Sequence, residues 1–158
     1  MKSNKIALIA ILLWTVTIAV IAWFFIRGNT VPGNDGRTAV VLSADERDLV
    51  LREMRGLLAA THGIMEGLIH EDMQQVAKSS RSAGMAVAAD VNPAIITKLP
   101  LPFKKLGMSV HQEMDEITRA AESGKPAPEL MKMLSGTVSK CVACHAAWQI
   151  KTGNAAEK

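Results

Sequence analysis

Tyrosine is missing from this chain, phenylalanine and tryptophan occur three times each, and aromatic residues make up only 4% of it. Charge of one sign is equally scarce: of eighteen Lys and Arg residues, Lys2, Lys5 and Arg27 flank the first apolar run, and the fifteen that remain are matched by fifteen Asp and Glu. A domain that is neutral from Gly28 onward, poor in aromatics and without a basic stripe is not built to bind nucleic acid. No Gly-rich phosphate loop, paired carboxylates or activated nucleophile stands out, so no enzyme is expected. There is no internal repeat and no strand signal, which leaves an all-α chain. Its length after the first few dozen residues suits one domain with one core.

What is present begins with an uncharged run from Ile6 to Ile26, twenty-one residues. At about 1.5 Å per residue it spans roughly 30 Å as a helix, the thickness of bilayer hydrocarbon. Lys2, Lys5 and the amino terminus precede the run and Arg27 follows it. The positive-inside bias then puts the N-terminus in the cytoplasm and the rest outside. A cleaved signal peptide competes with this reading. Cutting after Val20-Ile21-Ala22, however, leaves Trp23-Phe24-Phe25-Ile26 as the new end, and the run exceeds the usual signal length. Residues 1–27 are therefore expected to be a transmembrane anchor, 28–42 a flexible linker rich in Gly, Asn and Pro, and 43–158 a helical domain. Such a linker has an end-to-end distance of about 20 Å and leaves the domain free to reorient.

Ser43-Ala44-Asp45-Glu46 fits a capping box and opens the first helix of the domain. Val50, Met54, Leu57, Thr61, Met65 and Leu68 then recur at three- and four-residue steps to about Ile69. A second helix follows Glu71-Asp72 with a small-residue face through Val76, Ala77, Ser80, Gly84 and Val87. Pro93, Pro100 and Pro102 make 90–102 the longest connection. Phe103, Leu106, Val110, Met114 and Ile117 mark a third helix closed by Ser123-Gly124. A fourth starts near Pro128 and carries Leu130, Leu134, Val138, Cys141, His145 and Trp148 inward. Four helices with mostly short connections predict an antiparallel four-helix bundle behind a single N-terminal transmembrane helix.

Both cysteines fall in Cys141-Val142-Ala143-Cys144-His145. This is the spacing of c-type haem attachment, in which two thiols form thioethers with the haem vinyl groups and the imidazole ligates iron. On a helix, all three side chains can face one planar ligand. Two inert buried thiols beside a surface histidine are the plain alternative. A zinc site needs a fourth ligand, and His62, His70 and His111 have no paired spacing. A redox dithiol of the thioredoxin kind follows a strand, and none is expected here.

With that motif near the end of the last of four helices, Ser43 to Lys151 resembles the class II c-type cytochromes, meaning cytochrome c′ and its low-spin relatives. Trp148 matches an aromatic the family tends to have, and Gln149 stands where a basic residue usually follows, with Lys140 and Lys151 as possible substitutes. The resemblance implies one covalently attached haem c on Cys141, Cys144 and His145. It also implies an iron either left five-coordinate or capped by a methionine of the first helix. Met54 is the candidate, with Arg55 or Leu58 at that place if the alignment slips by one residue. His62 is the rival second ligand, and Arg52 and Arg55 are candidates to pair with a propionate. His70 and His111 are expected to be solvated. Lys98, Lys104 and Lys105 are a candidate partner patch.

The expected function is a membrane-tethered one-electron carrier of the bacterial inner membrane, its haem domain in the periplasm and its partners redox proteins or a membrane respiratory complex. Homodimerisation is open. A five-coordinate protein that binds nitric oxide or carbon monoxide, and a non-catalytic haem subunit of a respiratory complex, are the competing readings.

Overall fold

The computed structural model describes residues 2–89 and 92–153. The chain is predominantly helical. Helix α1, Lys2–Arg27, is exposed along its apolar length, and its 24-residue stretch Asn4–Arg27 contains an 18-residue window with a mean hydropathy of 2.6, long and apolar enough to span a membrane. Its two mid-helix hydroxyls are satisfied internally: Thr15 donates to the Ile11 carbonyl at 2.8 Å and Thr17 to the Leu13 carbonyl at 2.9 Å. That is what a polar group needs where no water is available.

Behind α1 the expected flexible linker is instead folded. Strands β1, Thr30–Pro32, and β2, Thr38–Leu42, form an antiparallel hairpin in the register Val31↔Ala39. Its turn is held by Asp35, which accepts from the Arg37 amide, and by Gly36 at φ +87°. A third strand, β3, Trp148–Thr152, pairs parallel to β2 with Val40 opposite Ile150, giving the order β1-β2-β3. Burial decides the outcome. Ala39, Val40 and Leu42 are 1%, 0% and 1% exposed, so Thr38–Leu42 is a short apolar strand covered on both faces, not a solvated tether.

Helix α2, Ala44–Ile69, opens on the expected capping box, with the Ser43 amide donating to Glu46 at 2.9 Å and the Glu46 amide to the Ser43 hydroxyl at 3.4 Å. Asp72 caps α3, Met73–Arg81, by accepting from the Gln75 amide. Gly67 lets α2 and α3 meet: a Cβ there would lie 2.8 Å from Val76 Cγ2. The second helix is interrupted after Arg81 and resumes as α4, Met85–Ala89. The connection predicted to be non-helical contains α5, Pro93–Lys98, and the start of α6, Leu101–Glu122. Pro93 and Pro102 fall in first turns, where a fixed φ and a missing N–H cost nothing. Asp90 and Val91, in the same connection, lie outside the described residues. Helix α6 stops at Ser123 with Gly124 at φ +75°, as read from the sequence. Helix α7 runs Ala127–Ala147.

Helices α2 and α3, α3 and α6, α6 and α7, and α2 and α7 are packed neighbours. They enclose one core cluster that includes Ala60, Ile64, Leu68, Val76, Met114, Ile117, Leu130 and Leu134. A second cluster joins the sheet to α2 and α5 through Val40, Leu42, Val50, Ile95 and Leu99, with Met54, Phe103, Trp148 and Ile150 against it.

Candidate functional site

On α7 the buried line Leu130, Leu134, Thr137 continues into Cys141 and Cys144, both half-buried and both free thiols. Cys141 donates to the Thr137 carbonyl at 3.7 Å. Burial pushes both thiols above the ordinary range. The Glu113 carboxylate pushes Cys141 further in the same direction, and Cys141 itself does so for Cys144. His145, one turn after Cys141, is exposed.

Trp148 does not continue the helix as expected. It is the first residue of β3, and its ring meets Phe103 edge-on with centroids 6.0 Å apart. Helix α7 is ended by tertiary contacts. Arg37, held by Asp35 at 2.6 Å, donates to the carbonyls of His145 at 3.2 Å and Trp148 at 3.4 Å. Gln149 donates to the same Asp35 at 3.1 Å. A guanidinium thus takes up carbonyls that a helix end leaves open. No signal near Cys144 in the sequence points to Arg37, more than a hundred residues earlier.

Neither core cluster includes Cys141, Cys144 or Val110. On α2 the division falls between Met54, packed with Trp148 against the sheet cluster, and Leu57, packed against the bundle cluster; Leu58 is 71% exposed beside them. Gly107 of α6 has open space where a side chain would be. Glu113 pairs with Lys140 at 2.6 Å, while its other oxygen is buried and without a partner. An orphan acceptor next to Cys141 marks a place the protein alone does not complete. Two free thiols on one face and an adjacent imidazole are a donor set that fits a covalently attached haem.

Other candidates are distributed differently. His62 is 72% exposed and leans on Glu66 at 3.9 Å, so its ring is directed away from the core. Arg52 and Arg55 are exposed, and Arg52 lines a cleft of about 280 Å³ between α2, the α3–α4 corner and α6. That cleft holds His111, which the sequence reading left in solvent. Its ring is buried, with Nδ1 2.8 Å from the Ala83 carbonyl and Nε2 3.3 Å from Glu53. The expected lysine patch is dispersed: Lys98 pairs with Glu46 at 2.6 Å, Lys104 is buried, and only Lys105 is exposed. Lys104 is buried because it packs on α1, a contact between segments some eighty residues apart.

Protein-family models, curated proteins and solved structures all return no match to this chain. The site is therefore read from its own chemistry.

Proposed function

We propose that this protein is a membrane-anchored monohaem c-type cytochrome that carries single electrons. The observation that carries the reading is the Cys141-Val142-Ala143-Cys144-His145 motif, with both thiols on one half-buried helix face at the level where the core divides. In this reading Cys141 and Cys144 tether the group, His145 ligates its iron, and Met54 of α2 is the second ligand. Haem supplies one-electron exchange between ferric and ferrous iron. Arg52 and Arg55, exposed on α2, are the cations offered to the acidic substituents of the group. The pairwise packing of α2, α3, α6 and α7 supports reading the domain as a four-helix bundle of the class II cytochrome kind. The anchor α1, with Lys2 and Lys5 in its first turns ahead of the apolar run, supports a cytoplasmic N-terminus and a periplasmic domain in a bacterial inner membrane.

The test is expression of the full chain in cells with a working haem-maturation system. Haem is expected to stay on the denatured polypeptide and to disappear in the Cys141→Ser, Cys144→Ser double variant. A low-spin ferric spectrum with a sulfur-to-iron charge-transfer band, lost in Met54→Ala, is expected for the carrier. A high-spin spectrum with ready carbon monoxide binding would replace the carrier by a gas-binding protein. A polypeptide without a bound chromophore would end both.

A further inference from the structure

The end of α1 is built into the domain. Its last turn leaves the Phe25 carbonyl free because the Asn29 amide, its usual partner, donates at 2.7 Å to the Lys98 carbonyl on α5 instead. Lys104 of α6 takes that carbonyl at 3.1 Å, and its ammonium sits 3.6 Å from the centroid of the Phe25 ring. A cation at a helix C-terminus and over an aromatic face is favourable twice. Gly28, at φ +64°, allows the approach, since a Cβ there would lie 2.6 Å from the Lys98 carbonyl oxygen and from Pro100 N. Only Gly28 and Asn29 separate α1 from β1, a reach of roughly 7–10 Å even fully extended. Next to Lys104, Phe103 packs on Trp148, whose carbonyl shares Arg37 with that of His145.

We propose that α1 and the following domain form one rigid body locked by Lys104, and that the face bearing the His145 end of α7 rests on the phospholipid headgroups. Arg27, the last residue of α1, and Lys105, next to Lys104, are exposed and adjoin the joint in sequence, and they suit lipid phosphates. The opposite end, at Ser123 and Gly124, points to bulk water. The proposal rests on the membrane reading of α1; where the carrier reading also holds, it turns the attachment site toward partners that share the membrane.

The test uses the full chain in nanodiscs of phosphatidylcholine and phosphatidylglycerol that contain a nickel-chelating lipid. Lys105 or Ser123 is replaced by p-acetylphenylalanine and given a ketone-reactive nitroxide, which leaves the cysteines untouched. Helix α6 has 22 residues and is about 30 Å long, so the lipid-bound nickel should relax the label at 105 several-fold more than that at 123. Lys104→Met should bring the two within twofold, with the circular dichroism unchanged. If that variant loses its fold, a flexible six-residue Gly-Ser insertion after Gly28 should have the same effect without altering the domain. Equal relaxation in the parent, or a difference that survives both variants, overturns the proposal. Retention of the parent through a carbonate wash of vesicles reports anchoring separately: loss there removes the membrane reading itself, whereas retention with equal relaxation removes only the fixed pose.

Discussion

His111 and Glu53 join α6 to α2 through a contact of 3.3 Å between Nε2 and Oε1, while His111 Nδ1 meets the Ala83 carbonyl at 2.8 Å. Both ring nitrogens face acceptors, so the imidazolium, with two N–H donors, satisfies the site better than either neutral tautomer. Glu53 holds the His111 pKa above its ordinary value, against the opposing effect of burial, with help from the Ala83 carbonyl and the charge of Asp115. A raised pKa in the folded state means stability fully present below the unfolded value near 6.5 and lost as pH rises through the folded one. His111→Ala should cost about 2 kcal/mol at pH 6 and less at pH 9, read from urea unfolding in detergent micelles. A penalty constant with pH would remove the ion pair from the account.

Glu46 has the opposite dependence. Lys98 lowers its carboxyl pKa most, followed by the Ser43 amide that completes the capping box. Its contribution is present above the unfolded carboxylate range and fades as pH falls through the folded value. Glu46→Gln should cost about 1 kcal/mol at neutral pH, and the cost should shrink below about pH 4. The midpoint difference between the two proteins across that range checks it.

Arg37→Ala should release the carbonyls of His145 and Trp148 and loosen β3 from β2. The expected readout is faster amide hydrogen exchange at Gln149–Thr152, by about tenfold, with the core of α2 unaffected. The cause is the loss of two hydrogen bonds from a charged donor at the point where α7 gives way to β3. Unchanged exchange in β3 would mean that strand pairing alone ends α7.

The thiols give a fourth test on apoprotein made without haem maturation. Burial raises the pKa of Cys141 and Cys144, so the nucleophilic thiolate is scarcer than in an open peptide. Alkylation by iodoacetamide at pH 8 should be slower than for the urea-unfolded chain by about an order of magnitude. Glu113→Gln should speed Cys141 modestly, since it removes the carboxylate charge that adds to burial in opposing its ionisation.

Legibility followed distance along the chain. The capping box of Ser43 and Glu46 closes within three residues, and the stop at Ser123-Gly124 within a few more, so both could be read directly. Trp148 misled because it falls on the same helical stripe as Cys141 and Cys144. What turns it into a strand is Thr38 opposite it and Arg37 capping the helix before it, both more than a hundred residues upstream. Lys104 and His111 read as surface residues for a similar reason: the groups that bury them, Phe25 on α1 and Glu53 on α2, leave no mark in their own neighbourhood.

The amino-acid sequence by itself determined the apolar helix at the N-terminus, the amphipathic helices and the grouping of two thiols and an imidazole within five residues. These are properties of short-range periodicity, capping and spacing. Only the tertiary structure decided that residues 30–42 and 148–152 form a sheet, that α1 is docked on α6 while Gly28 and Asn29 behind it meet α5, and that Glu53 and His111 are paired. Each of these depends on desolvating groups far apart in the chain against one another, and that balance is set by packing in three dimensions.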